Sequence, residues 1–136
     1  MKEPKTPLLA VDAVLRLWDG EGFRGIVLIE RLYPPYGLAL PGGFVEVGER
    51  VEEAVLREVR EETGLEARIR KLLGVYSEPG RDPRFHVASV VFVCDAEGEP
   101  EAGSDAKRAR VYPLEELPLD LLVFDHRRIL LDYIKL

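Results

Sequence analysis

Acidic side chains crowd one stretch of the chain and could bind a hard metal ion. Residues 49–62 are the best helix candidate, and on a wheel of about 100° per residue their apolar side chains form one arc. Glu58 and Glu62 fall inside that arc, and Glu61 falls at its edge. The arc consists of Val51, Ala54, Val55 and Val59, and the opposite side carries Glu53, Arg57 and Arg60.

Two carboxylates on a buried face need a compensating positive charge. Burying ionised carboxylates costs several kcal/mol each unless a cation offsets it, and two of them one turn apart also repel each other. Lysine or arginine could supply the charge, but clustered carboxylate oxygens are also what Mg²⁺ binds. The alternative is an ordinary solvated acidic helix, and the wheel alone leaves both interpretations open.

The helix is part of a longer spaced pattern. Gly43 is followed after five residues by Glu49, and seven residues later come Arg57-Glu58-Val59, then Glu61-Glu62, then Gly64-Leu65. This pattern resembles the Nudix box at every position. The chance of such a match somewhere in this chain is roughly one in ten million with ordinary residue usage.

The resemblance implies a role for each position. Glu58 and Glu62 resemble the principal metal ligands, and Glu61 resembles a further ligand or a group that orients water. The carbonyl of Gly42 is the expected backbone ligand. Glu49 and Arg57 resemble an ion pair that fastens the preceding loop to the helix. The cofactor implied is Mg²⁺, with Mn²⁺ as the substitute.

Segments outside the box resemble the ADP-ribose pyrophosphatase subgroup. They are 40–49, 77–86, 105–114 and 124–126, although Phe85 stands where many relatives carry a small residue. The resemblance implies hydrolysis of ADP-ribose to AMP and ribose 5-phosphate. Rival substrates are dinucleoside polyphosphates, NADH and oxidised nucleoside triphosphates. A module that senses ADP-ribose or NAD without hydrolysing it is a rival of another class.

The resemblance implies a general base outside the box, on a mobile loop, and the acidic loop at 95–106 offers the candidates. Asp105 is the favoured candidate, and the alternatives in that loop are Asp95, Glu97, Glu99 and Glu101. A further alternative is that these acids only solvate the loop and that Glu61 orients the water.

Four residues are candidates for substrate binding. Arg31, Arg81 and Arg84 could bind phosphate because a guanidinium matches phosphate geometry, although each could instead form a surface salt bridge. Glu46, from the segment 40–49, is the fourth candidate. For His86, Trp18 and Tyr76, structural roles are favoured over contacts with the reaction or the base.

Strands outnumber helices along the chain, which indicates an α+β domain with a mixed sheet covered by helices. The predicted strands are 8–18, 25–29, 38–40, 67–76, 86–94 and 109–112, with a turn at 41–43 and a closing helix at 125–135 whose inward residues are Ile129, Leu130, Tyr133 and Ile134. The resemblance implies an α/β/α sandwich with a central mixed β-sheet.

Composition limits the remaining possibilities. Residues 1–136 are expected to form one domain. The net charge of −6 argues against non-specific nucleic-acid binding, and we expect neither a membrane span nor a signal peptide. The lone Cys94 favours a cytoplasmic setting. The absence of Asn and Gln indicates a thermophilic source or a GC-rich genome. The resemblance implies a homodimer.

Overall fold

Seven strands and two α-helices make up the regular structure in the computed structural model, which describes residues 3–136; Met1 and Lys2 of the predicted domain lie outside the described residues. The strands are β1 (Leu8–Asp19), β2 (Gly22–Arg31), β3 (Leu38–Ala39), β4 (Gly42–Phe44), β5 (Arg68–Tyr76), β6 (Val87–Glu97) and β7 (Ala106–Tyr112). The helices are α1 (Val51–Thr63) and α2 (His126–Ile134), with short 3₁₀ turns at Leu114–Glu116 and Leu119–Leu121.

The strands form one mixed sheet around β1. The path through the sheet is β3-β2-β1-β6-β5, with β4 added beside β1 and β7 beside β2. The β1–β6 pair is parallel over its length, from Leu8 opposite Val87 to Trp18 opposite Glu97, and the other pairs are antiparallel. The predicted mixed sheet is therefore confirmed.

The two helices cover opposite faces of the sheet because successive strand residues point to opposite sides. Val11, Ala13, Leu15 and Leu17 of β1 pack with Ala54, Val55 and Val59 of α1. On the other face, Val14 of β1 and Leu28 of β2 pack with Ile129 and Leu130 of α2. This is the expected α/β/α sandwich.

Local signals define the limits of α1. At its beginning, the backbone N–H of Arg50 donates to the Glu53 carboxylate at 3.0 Å. At its end, Gly64 takes a left-handed conformation, with φ of 72°, and its N–H donates to the carbonyl of Arg60. Glycine adopts this conformation without the steric cost of a side chain. The predicted helix stop is confirmed.

Some predicted boundaries are wrong. Residues 42–44 form strand β4 against β1, although glycines there suggested a turn. Strand β6 continues through Asp95, so the acidic loop starts later than expected. In α2, Ile134 is exposed instead of inward. Helix α1 begins two residues after Glu49, whose side chain instead accepts hydrogen bonds from Arg57.

Candidate active site

The glycine pair of β4 brings the backbone against the acidic face of α1. Gly42 lies opposite Asp12 of β1, and its N–H donates to Oε1 of Glu62 at 2.8 Å. A Cβ on Gly43 would lie 2.6 Å from Oε2 of Glu58. A side chain at position 43 would therefore push the Glu58 carboxylate away, and glycine permits the close approach. Pairing of β4 with β1 holds the backbone of both glycines in this position.

Glu58 and Glu62 face inward, as the wheel predicts. Glu62 is only 5% exposed, and burial raises its pKa to about 8, with a contribution from the neighbouring charges of Glu58 and Asp12 and only partial compensation by the Gly42 N–H. Burial also raises the pKa of Glu58, against the opposing effect of Arg57. Glu61 lies at the rim, with 43% of its side chain exposed. Arg57 and the Gly42 N–H therefore compensate the negative charges of Glu58 and Glu62 only in part.

Arg57 links the loop before α1 to the helix. Its Nε and Nη2 donate to both oxygens of Glu49, at 2.7 and 2.9 Å, and hold the pKa of that carboxyl at about 2. Nη1 donates to Glu58 at 2.6 Å and to Glu61 at 3.2 Å, and Nη2 donates to the Phe44 carbonyl. The expected Glu49–Arg57 ion pair is present. The outward placement of Arg57 on the wheel is wrong, because its long side chain folds back over the acidic residues.

The donors in this cluster suit a hard divalent cation. No three histidine, cysteine or acidic residues among residues 3–136 already enclose a cation-sized space. The reason is local, since Glu58 is turned onto Arg57 and Glu62 onto the Gly42 N–H. Oxygen donors with a raised pKa nevertheless fit Mg²⁺ or Mn²⁺, because the cation would replace the proton that burial favours. Glu58, Glu62 and Glu61, with the Gly42 carbonyl, are the residues that would hold it.

Asp105 is brought to this cluster by the loop between β6 and β7. The loop packs on the C-terminal end of α1, where the N–H of Glu101 donates to the Thr63 carbonyl at 2.8 Å and that of Gly103 to the Glu62 carbonyl at 3.4 Å. The charge of Asp105 is close enough to contribute to the raised pKa of both Glu58 and Glu62. Asp105 therefore lies within electrostatic reach of the expected metal ligands.

Three of the alternative bases are occupied elsewhere. Asp95 is a buried residue of β6 that accepts hydrogen bonds from Arg16, at 2.6 and 2.9 Å, and from the Trp18 indole. Glu97 pairs with Arg68, and Glu99 pairs with Arg24. The proposal that Asp95 is a loop base is wrong, because it holds the β1–β6 pair together.

A narrow cleft of about 60 Å³ adjoins the glycine pair. Arg31 and Arg84 line it, and burial, followed by the charge of Arg84, lowers the pKa of Arg31. The Arg84 guanidinium lies 5.5 to 5.9 Å from the ring centroids of Phe44, Phe85 and Phe124 and is also paired with Asp82. Arg84 donates to Asp82 through Nε and Nη2, and Arg31 donates to the carbonyls of Pro34 and Pro35. The Arg84 side chain is nevertheless 35% exposed, so both guanidiniums remain candidates for the phosphates of a metal-bound diphosphate.

Two other predicted substrate contacts lie differently. Arg81 is 8% exposed and lines the cleft, but its Nε and Nη2 both donate to Asp125, at 2.9 and 2.6 Å. Its guanidinium is thus committed to tying the 77–86 loop to the start of α2, which corrects the expectation of a phosphate contact. Glu46 is exposed in the loop before α1, where its N–H donates to Glu49.

The three residues for which a structural role was favoured have structural partners. His86 Nε2 is hydrogen-bonded to the Ser77 carbonyl at 2.9 Å, and the Tyr76 hydroxyl donates to Asp132 at 2.7 Å. Trp18 donates to Asp95 and packs on Phe23.

A buried polar chain beneath the cleft was missed from the sequence. Leu40 N–H donates to Nδ1 of His126 at 3.0 Å, Nε2 of His126 lies 3.6 Å from Asp12, and the Ser89 hydroxyl donates to Asp12 at 2.5 Å. This chain anchors the backbone just before the glycine pair. The only sign of this chain in the sequence is Asp12, which interrupts the otherwise apolar first half of β1.

Comparison with known proteins places the chain in a family. The NUDIX domain model matches residues 6–133. The chain is 51% identical over 132 residues to an ADP-ribose pyrophosphatase of Methanocaldococcus jannaschii, covering 95% of this chain and 74% of that protein.

Two solved structures share the fold. A bifunctional NMN adenylyltransferase/ADP ribose pyrophosphatase from Francisella tularensis, complexed with AMP and a Mn ion, superimposes with a TM-score of 0.85 at 25% identity, over 98% of this chain and 43% of that one. The NUDIX domain of Shewanella oneidensis NrtR, complexed with ADP ribose, gives 0.82 at 25% identity, over 96% and 88%. The box at 43–65, the sandwich fold and these matches agree, and the chain belongs to the Nudix family.

Proposed function

We propose that this protein is a Nudix pyrophosphohydrolase that cleaves ADP-ribose to AMP and ribose 5-phosphate with a divalent metal ion. The observation that carries the proposal is the contact of two carboxylates, the buried Glu62 and the largely buried Glu58, with a glycine pair that lines a cleft together with two arginines. Clustered acids bind the metal, and the arginines bind the anionic substrate. The 51% identity to an ADP-ribose pyrophosphatase supports the choice of substrate within this class.

Each side chain has a distinct task in this proposal. Arg31 and Arg84 orient the diphosphate and balance its charge, which favours the transition state when charge shifts to the leaving oxygen. Arg57 keeps Glu58 and Glu61 in place through its hydrogen bonds and does not touch substrate. When bound, Mg²⁺ neutralises phosphoryl oxygens and acidifies a water molecule.

The proton of the attacking water goes to Asp105 in this proposal. Asp105 lies on the loop over the end of α1, within electrostatic reach of the expected metal ligands. Its carboxylate accepts no hydrogen bond from another side chain or backbone group among residues 3–136. An acid that is not consumed by a salt bridge is free to accept a proton. The rival role, orientation of the water by Glu61, is tested by its own substitution.

Hydrolysis is tested by assaying ADP-ribose turnover with Mg²⁺ in the wild-type protein, in Glu62→Gln and in the control Glu52→Gln. Glu52 lies exposed on the outer side of the same helix. We expect Glu62→Gln to lose at least about 100-fold in kcat, with AMP and ribose 5-phosphate as the wild-type products, and the control to keep full activity. Equal turnover by all three proteins would remove Glu62 from the mechanism.

The same assay separates the rival functions. A panel containing NADH, dinucleoside polyphosphates and oxidised nucleoside triphosphates identifies the substrate by the ratio of kcat/KM values. Binding of ADP-ribose without any turnover would instead indicate a sensing module. Against that alternative stands the complete box, which retains Glu58, Glu61 and Glu62.

Finer properties are also part of the proposal. We propose Mg²⁺ as the physiological metal, a single domain over 1–136, a homodimer, and a cytoplasmic setting in a thermophilic organism, with no nucleic-acid partner. The buried free thiol of Cys94 fits a reducing compartment, and the absence of Asn and Gln fits high temperature. Among residues 3–136, neither α1 nor α2 has the length and hydrophobicity of a membrane-spanning helix.

A further inference from the structure

A sizeable cavity lies away from the metal-binding carboxylates. It has a volume of about 570 Å³, within the usual range of roughly 300–1,000 Å³ for small-molecule sites. Its walls include Glu30, Arg108, Arg110 and Tyr112, and it shares no lining residue with the active-site cleft. We propose that this cavity, here called the rear cavity, is a second binding site for a nucleoside monophosphate.

The rear cavity opens on the α2 face of the sheet. Leu28 of β2 lies in its wall and packs in the hydrophobic cluster of α2. Glu30 is two residues further along β2 and therefore points to the same face, whereas Arg31 points to the opposite face and lines the cleft. Alternate residues of β2 thus line the two pockets, and neither Glu58 nor Glu62 lines the rear cavity.

Glu30 supplies an unused acceptor inside this cavity. Its Oε2 is the one buried side-chain nitrogen or oxygen among residues 3–136 that has no hydrogen-bond partner. The closest cation, Nε of Arg108, lies 3.6 Å away. A buried carboxylate oxygen without a partner is unfavourable. Because the Glu30 side chain as a whole is 32% exposed, a turn of its carboxylate would bring the oxygens to a ligand hydroxyl. Carboxylates accept in this way from the hydroxyls of a ribose.

The rim carries one guanidinium without a matching acid. Arg108 and Arg110 are both exposed, and Arg110 has no ion-pair partner among residues 3–136. The other acid of the wall, Asp120, is already paired with Arg127 at 2.8 Å. An unpaired guanidinium at the mouth of a cavity suits a phosphate, which it can bind through two parallel hydrogen bonds.

Aromatic and apolar side chains complete the site. Tyr36, which is 71% exposed, and Tyr112 line the rear cavity, with Leu28, Leu38 and Val123 as its apolar part. A purine or pyrimidine would cover this surface, because bases stack on aromatic rings without requiring a particular sequence or edge. A ribose at Glu30, a phosphate at Arg110 and a base against tyrosine together define a nucleoside monophosphate.

The proposal is tested by NMR titration of the ¹⁵N-labelled full chain with AMP, in EDTA so that no metal supports nucleotide binding in the cleft. We expect saturable shifts at the amides of Gly37, Arg108, Arg110 and Val123. Arg110→Ala should weaken binding about tenfold, the equivalent of one charge-assisted hydrogen bond. The control Arg68→Ala, an exposed arginine of β5 paired with Glu97, should bind like wild type.

Two further probes examine the assigned contacts. Adenosine lacks the phosphate and should bind wild type and Arg110→Ala equally, and 2′-deoxy-AMP should bind wild type more weakly than AMP because Glu30 loses a donor. Shifts confined to Arg31, Arg84 and Phe124, or affinity unchanged by Arg110→Ala, would overturn the proposal. Shifts at the rear cavity that follow protein concentration without AMP would assign it to a second copy and overturn it as well.

Discussion

Raising the pH is expected to destabilise the protein in EDTA because folding keeps a proton on Glu62. Burial raises the pKa of this carboxyl to about 8, from an ordinary value of 4.5. Below pH 4.5 the folded and unfolded chains both hold the proton, and the stabilisation is fully present. Above pH 4.5 the unfolded chain loses the proton first, so stability falls until the pH passes about 8.

The size of this effect follows from the two pKa values. Each pKa unit is worth about 1.4 kcal/mol, so the full change is on the order of 5 kcal/mol. For a chain of 136 residues, that corresponds to a fall in Tm of roughly 15 °C. Glu58 adds to the same trend, since its pKa is also raised. The difference between wild type and Glu62→Gln isolates the contribution of Glu62.

The measurement is the free energy of unfolding from urea titrations at several values between pH 5 and 8. Wild type should lose stability with pH relative to Glu62→Gln, and Glu52→Gln should follow the wild-type profile. Adding Mg²⁺ should flatten the wild-type profile, because the cation stabilises the ionised carboxylates that the proton otherwise neutralises. A wild-type profile parallel to that of Glu62→Gln in EDTA would refute the reasoning that links burial to this carboxyl.

Three further substitutions test other contacts. Gly42→Ala should lower the unfolding free energy by about 1–3 kcal/mol, because its Cβ would lie 2.2 Å from both the Val11 carbonyl and Asp12 Oδ1. An unchanged Tm would contradict that close approach. Arg57→Lys should lower the free energy of unfolding in urea titrations by about 2–3 kcal/mol, because one ammonium cannot replace a guanidinium that donates to three carboxylates. Wild-type stability in this variant would argue against the linking role. Asp105→Asn should reduce kcat about 100-fold or more with little change in KM, as steady-state assays will show; a full kcat would exclude it as the base.

The sequence was most informative where the relevant contacts are local. The inward direction of Glu58 and Glu62 follows from helical periodicity, because both lie on the face that packs Val55 and Val59 against the sheet. The helix stop at Gly64 depends only on its own backbone conformation. Such features need no knowledge of distant segments.

Contacts between distant segments could not be predicted in this way. Asp95 looked like a loop residue because its partner Arg16 is 79 residues away and is brought to it by the β1–β6 pairing. Arg81 looked available for phosphate because its partner, Asp125, lies 44 residues further along. In both cases the pairing of an exposed-looking charge depends on the three-dimensional fold.

Even-numbered and odd-numbered residues of strand β2 line different pockets. Leu28 and Glu30 point to the rear cavity, whereas Ile29 and Arg31 line the cleft. Point substitutions at even positions can therefore alter one pocket while the other keeps its side chains. Insertion of a single residue in this strand would exchange the two sets and leave a glutamate where the phosphate-binding cation belongs.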